Sequence, residues 1–332
     1  MTRSEAVLPA PVPLFEDSDF AVMIEAAPSQ RDLAAVWEAQ SAAVGALTER
    51  HAAVLFRGFA IADEADFRTV RDRAIDTPAA YRYRSTPRTE VDAGIMTATE
   101  YPASEEIPLH CENAYQRSWP ERLVFCCLQP AQEGGQTPIA DMRAVTAEID
   151  SSVVEAFDRR GVRYLRTYHP GFDLDWQTVF QTDDRNELAR YCATHEIDVR
   201  WREDGVLHTE QTCQGAARHP RTGELLWFNQ AHLFHPSSLG PDMFADLCSV
   251  FGTDGLPRDA RFGDGEEIPG EMLAHIRAAH RRHLRAFDWQ AGDVLVIDNM
   301  LAAHGRHPFS GPRRVLVSMG PARPSGGPDT VE

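Results

Sequence analysis

Two segments of the chain carry a His-x-Glu pattern: His110-Cys111-Glu112 and His208-Thr209-Glu210. On an extended strand residues i and i+2 project from one side, so an imidazole and a carboxylate would face together and the intervening residue away. That pair supplies two members of a two-histidine, one-carboxylate metal site, which leaves coordination positions open for a co-substrate and oxygen. The third ligand has to come from another strand, and His304, just beyond an apolar run, is the candidate. Taken alone, either His-x-Glu reads more simply as a solvated strand edge, and thirteen histidines make one chance occurrence expected.

The elements that must position these residues can be read from periodicity. Residues 29–50 are alanine-rich, with Leu33, Val36, Trp37, Val44 and Leu47 near helical spacing and Ser29 as the expected N-cap. Further helices are expected at 63–75, 143–160, 183–195 (capped by Thr182), 241–251 and 269–285. Strands are expected at 52–57, 123–128, 137–140, 197–201, 206–212, 225–229, 294–298 and 314–319, with a hairpin turn at 219–223. The stretch 78–109 is irregular, with Tyr81, Tyr83 and Tyr101. Short strands with helices inserted between them do not alternate as a doubly wound sheet does. The expected fold is therefore mostly β with flanking helices around a double-stranded β-helix, or jelly-roll, core. Residues 21–320 would form one domain, between a flexible N-terminal arm (1–20) and a flexible proline- and glycine-rich tail (321–332).

Composition narrows the chemistry. The 332 residues carry 33 Lys+Arg against 50 Asp+Glu, a formal net charge of -17. A chain this acidic is a poor partner for nucleic-acid backbones or anionic membranes. All the basic residues are arginines; the absence of lysine removes Schiff-base and pyridoxal-phosphate chemistry and the P-loop. There is no G-x-G-x-x-G, G-x-S-x-G or H-E-x-x-H motif. The six cysteines form no C-x-x-C pair, and neither a signal peptide nor a membrane span is apparent, so a reduced, cytoplasmic protein is expected.

What distinguishes the first His-x-Glu from the second is the surrounding text. Residues 109–113 (LHCEN), 129–141 (QPAQEGGQTPIAD), 176–182 (WQTVFQT), 227–232 (WFNQAH), 298–306 (DNMLAAHGR) and 311–314 (GPRR) occur in one order over most of 100–320. Together they resemble the taurine-dioxygenase-like iron(II)/2-oxoglutarate oxygenases, and more closely the syringomycin-type amino-acid hydroxylases found beside non-ribosomal peptide synthetases. The resemblance implies an enzyme using Fe(II), with 2-oxoglutarate and O2 as co-substrates, that hydroxylates an amino acid, free or tethered to a carrier protein. It implies His110, Glu112 and His304 as iron ligands and demotes His208 and Glu210. It makes Thr137 a hydroxyl for the 2-oxoglutarate carboxylate and an arginine after His304 its bidentate partner. Arg313 and Arg314 compete for that role; Arg314, which opens the last apolar strand, is favoured, although strand parity alone does not decide. Asn113, Arg306, Asn229 and Trp176 are weaker substrate-contact candidates, Gln177 and Phe180 could join Trp176 in a lid, and His232 could line the pocket. His275, His280 and His283 read as a solvated helix face. The rival reading is a jelly roll that holds a metal or docks a carrier protein without turnover.

Overall fold

The computed structural model describes residues 7–79 and 82–324; Tyr81 and the outer parts of the expected arm and tail lie outside them. Its centre is an eight-stranded sheet whose inner members are Ala53–Arg57, Val294–Asp298, Ser118–Gln129 and Arg314–Pro324. These four pair antiparallel to one another. Their alternate residues enter two different apolar layers. Val54, Phe56, Val124, Cys126, Val294, Val296 and Leu316 pack against the helices Leu33–His51 and Glu64–Ala74 through Val36, Trp37, Phe67 and Val70. Leu55, Leu123, Phe125, Cys127, Leu295, Ile297, Val315 and Val317 face the other way, into a second, larger core. A sheet covered on both faces needs apolar residues at every position, which is why these strands read as unbroken hydrophobic runs.

The second core is closed by two smaller sheets. One holds Ile107–His110, Ala302–Arg306 and Ile139–Asp141. The other holds Asp198–Trp201, Leu207–Cys213, Val162–Tyr168 and Arg258–Phe262. The three-stranded sheet lies over the Phe125 face of the large one, and the site forms between them.

Most expected elements are present with shifted ends. Asp32, not Ser29, caps the first long helix by accepting from the Ala35 N–H, and Asp184, not Thr182, caps the helix Arg185–Thr194. Both substitutes are aspartates, whose carboxylates cap as well as a hydroxyl does. The expected helix at 143–160 is two helices, Met142–Glu148 and Ser151–Arg160. The last strand runs on to Pro324, past the boundary expected at 320, because its backbone stays paired with Ser118–Gln129 to the end. Val12–Pro13 adds to the sheet edge against Val22–Glu25. The strand carrying His304 had no sequence signal: Ala-Ala-His-Gly-Arg has no alternation and none of the β-branched residues that mark strands.

Candidate active site

His110 ends its strand, and in the neighbouring strand His304 is its direct cross-strand partner. The two rings lie 4.4 Å apart, centroid to centroid, and Phe125 from the large sheet backs His304 at 5.2 Å. Between the two strands, a Cβ on Gly305 would sit 2.5 Å from the Ile107 carbonyl oxygen, so only glycine allows this approach. Glu112 is not on the strand. It lies in the turn that follows, before Asn113 with its left-handed φ of 56°. His110 and Glu112 thus come together as the i, i+2 argument expects, although the carboxylate is delivered by a turn.

The potential ligand atoms of His110, Glu112 and His304 all lie within 4.8 Å of one another, the only such trio among the described residues. The His110 Nδ1 is 2.8 Å from the Pro108 carbonyl, so Nδ1–H donates there and Nε2 is left to ligate. His304 Nε2 lies 3.7 Å from Glu112 Oε2. Burial lowers the affinity of both imidazoles for protons, offset in part at His110 by Glu112, and this favours the neutral form that a metal requires. Two imidazoles and one carboxylate on one side fit a divalent iron that keeps open positions.

Glu112 is fixed from two directions. Asn299, fully buried in the turn after Val294–Asp298, accepts from the Glu112 N–H (2.7 Å) and donates to its carbonyl (2.9 Å) and to that of Pro120 (2.8 Å). Arg88 donates to Glu112 Oε2 at 2.6 Å, with both side chains buried. Sequence reasoning named neither residue. Asn299 stands inside the 298–306 motif and could have been found there; Arg88 lies in an irregular stretch with no pattern.

Next to the triad is a small cavity whose wall includes Arg88, Phe125, Thr137, Arg306 and Arg313. Thr137 is buried, and its hydroxyl oxygen accepts from Trp289 Nε1 at 3.0 Å, which leaves its own proton free to point elsewhere. Arg313 donates through Nε to the Gly135 carbonyl at 3.0 Å, and burial, helped by nearby Arg306, pulls its guanidinium down to about 10. Gly135 has φ 70°, and a Cβ there would come within 3.1 Å of Arg313, so the second glycine of the 133–135 turn makes room for this side chain. Arg314 is the neighbour the sequence favours, and the structure corrects that preference. Arg314 is exposed on the opposite face and ion-paired with Glu64. Val315 belongs to the cavity wall, so parity puts Arg313 on its side and Arg314 on the other.

The weaker candidates divide. Arg306 is at the wall, yet its two Nη atoms donate to the carbonyls of Tyr101 (3.0 Å), Pro102 (2.6 Å) and Glu105 (2.8 Å), pinning the loop before the His110 strand, while its Nε is buried without a partner among the described residues. Asn229 is committed to the Gly215 carbonyl (2.6 Å) and the Ala231 N–H (3.0 Å). Trp176 packs edge-on against Trp201 at 5.5 Å, and Phe180 stacks on Tyr83 at 5.3 Å inside the core; neither lines this cavity. Asn113 is buried beside Glu112 but is not part of the wall. His208 and Glu210 sit on Leu207–Cys213 and bond to each other at 3.1 Å, with Thr167 on the far ring nitrogen.

His280 corrects another expectation. It is buried, not solvated, and stacks on buried His232 at 4.4 Å. Burial, with His283 nearby, holds His280 down to about 4, and burial together with His280 and Arg277 holds His232 well below the usual range. In the unfolded chain both protonate near the ordinary value of about 6.5. The unfolded state therefore takes up protons first, and stability should fall as pH drops from about 6.5 toward 4, by roughly 1 kcal/mol per pH unit for each histidine. Denaturant midpoints measured across that interval should show the decline, and His280→Gln should flatten it; an equally steep slope in the variant would refute this source.

The fold and site define a class: a jelly-roll protein in which two histidines and a glutamate come together where they could hold a metal ion. The chain belongs to the taurine catabolism dioxygenase TauD, TfdA family, whose pattern matches residues 16–319, and with that family it is an iron(II)/2-oxoglutarate-dependent oxygenase. It is 43% identical over 267 residues to the dapdiamide synthesis protein DdaC of Enterobacter agglomerans, covering 80% of this chain and 81% of that one. It is 30% identical over 284 residues to a clavaminate synthase-like protein of Arabidopsis thaliana, covering 82% of each. Among solved structures, PvcB of Pseudomonas aeruginosa shares the fold with a TM-score of 0.55 at 18% identity, covering 98% of this chain and 96% of that one. Among the described residues, no helix is long and apolar enough to cross a membrane.

Proposed function

We propose that this oxygenase hydroxylates an unactivated carbon of an amino acid, free or held on a carrier protein, in the biosynthesis of a specialised metabolite. The observation that carries the reading is the likeness, over four-fifths of the chain, to a relative named for dapdiamide synthesis. The resemblance of the motifs to amino-acid hydroxylases supports it.

His110, Glu112 and His304 would hold iron(II), which with 2-oxoglutarate and O2 would supply the oxidising chemistry that breaks a C–H bond. The chain's own part is to orient and to keep dry. Nδ1 of His110 stays on the Pro108 carbonyl, so its ring cannot turn away from the metal position. Arg313 offers two N–H groups to the far carboxylate of 2-oxoglutarate, and Thr137, already accepting from Trp289, adds its O–H to the same group. Phe125 and Val315 line the same cavity and exclude water from it.

The test is 2-oxoglutarate consumption with succinate release across free amino acids and their carrier-bound thioesters, followed by product mass. One substrate should stimulate consumption and gain a single oxygen. In saturating chloride no chlorinated product should form, because the Glu112 carboxylate fills the position that halogenases of this fold leave to chloride. A loss of two hydrogens would replace hydroxylation by desaturation. Turnover of taurine, and of no amino acid, would overturn the substrate class.

A further inference from the structure

The four-stranded sheet that closes the second core carries a buried cation with no carboxylate to match it. Arg166 lies on Val162–Tyr168, is 2% exposed, and stands directly across the ladder from fully buried Thr209 on Leu207–Cys213. Two residues on, Tyr168 faces the same side. The guanidinium carbon of Arg166 sits 5.1 Å from the Tyr168 ring and 5.0 Å from the Tyr83 ring, both buried. Its Nη2 donates to the Arg84 carbonyl at 3.1 Å. Among the described residues no carboxylate reaches ion-pair distance; the acid that bears on it, Asp173, is held by Arg258 through both oxygens, at 2.7 and 2.9 Å.

Four donors gather there without an acceptor. Arg166 Nη1 and the hydroxyls of Tyr83, Tyr168 and Thr209 are buried, and none has a hydrogen-bond partner among the described residues. The Thr209 hydroxyl is near enough to both phenols to bear on their proton affinity. Burial nevertheless raises both phenols above their ordinary value of about 10 and keeps them protonated, so neither supplies a counter-charge. The two ring faces attract the guanidinium, which offsets only part of the cost of a charge taken out of water. A water molecule would accept from two of the four donors and bring no charge. A small anion accepts from all four and neutralises the arginine.

We propose that Arg166, Tyr83, Tyr168 and Thr209 form a buried site for a halide ion, chloride under ordinary conditions. None of the four lines the cavity at the triad, and the site stands independently of the function proposed above. Its effect falls on the segment 83–85, where Tyr83 has a left-handed φ of 57°, costly for an aromatic residue. Three successive carbonyls of this segment accept from other elements. That of Tyr83 takes Tyr115 Oη (3.0 Å) and Gln116 Nε2 (3.2 Å), that of Arg84 takes Arg166, and that of Ser85 takes Arg258 (2.8 Å). The ion would complete this attachment, since Tyr83 comes from the segment and the other three donors from the sheet.

The experiment follows melting of the full chain at fixed ionic strength while sodium gluconate is replaced by sodium chloride or sodium bromide. Crystals grown in bromide are measured for anomalous scattering. The melting temperature of wild type should rise and saturate in the millimolar range, as a bound ligand requires. Arg166→Met should lose the rise. Tyr168→Phe should move its half-saturation upward by roughly five- to tenfold, the loss of one hydrogen bond. A general salt effect would not saturate there and would persist in Arg166→Met. Bromide should give an anomalous peak within bonding reach of Arg166 Nη1 and the three hydroxyls. Should Arg166→Met fail to fold, Tyr168→Phe and the bromide map decide. A flat response in wild type, or a map with water alone among the four donors, would overturn the proposal. So would a bromide peak with no saturable rise in solution, which would show binding at crystal concentration only.

Discussion

The His304→Ala protein should fold and yet turn over no 2-oxoglutarate, and His110→Ala should behave alike. Each change removes one of the three proposed ligands, and a two-ligand remnant would not hold iron in the geometry the reaction needs. The strand pairing that carries these histidines is made by the backbone, so the sheet survives the loss of an imidazole. Circular dichroism should therefore match wild type while iron content and succinate release fall to background. His208→Ala is the control, because its imidazole bonds to Glu210 and Thr167 in a different sheet. Equal loss of iron on removing His208 would sink the assignment of ligands.

The second large effect concerns the co-substrate. A buried arginine–carboxylate pair costs about 3–5 kcal/mol when one partner is truncated. Arg313→Ala should accordingly raise the 2-oxoglutarate requirement by roughly two to nearly four orders of magnitude. Arg314→Ala breaks an exposed pair with Glu64, and such pairs contribute about 0–1 kcal/mol, so kinetics should hardly change. Steady-state KM values for 2-oxoglutarate in the two variants check this, and the reverse order would restore Arg314.

How much of this was legible in the sequence depends on the kind of signal. Val294–Asp298 and the core of Ser118–Gln129 announce themselves because both faces are buried. The helices at 64–74 and 241–251 show their periodicity. The trio His110, Glu112 and His304, which the structure brings together, was picked out by motif, and its second histidine lies on a strand that no local pattern marks. The arginine was misjudged because parity needs a reference: only knowing that Val315 faces the cavity assigns Arg313 to it. Arg88 and Asn299 act through contacts 24 and 187 residues away in sequence, and no window of local pattern spans such distances.

Asn299 has a consequence for how the protein acquires its metal. Its turn closes a strand at the centre of the large sheet, is anchored by Asp298 to His219 (3.0 Å) and Arg221 (2.7 Å), and grips the backbone of Glu112. The backbone of Glu112 is thus tied to the central sheet, the kind of region expected to open last under hydrogen exchange. Fraying of a loop cannot release it, and the ordering entropy of this ligand is settled during folding and not charged against metal affinity. Apoprotein should therefore bind iron as a nearly finished socket, with exchange limited by passage through the cavity mouth rather than by assembly of the ligands.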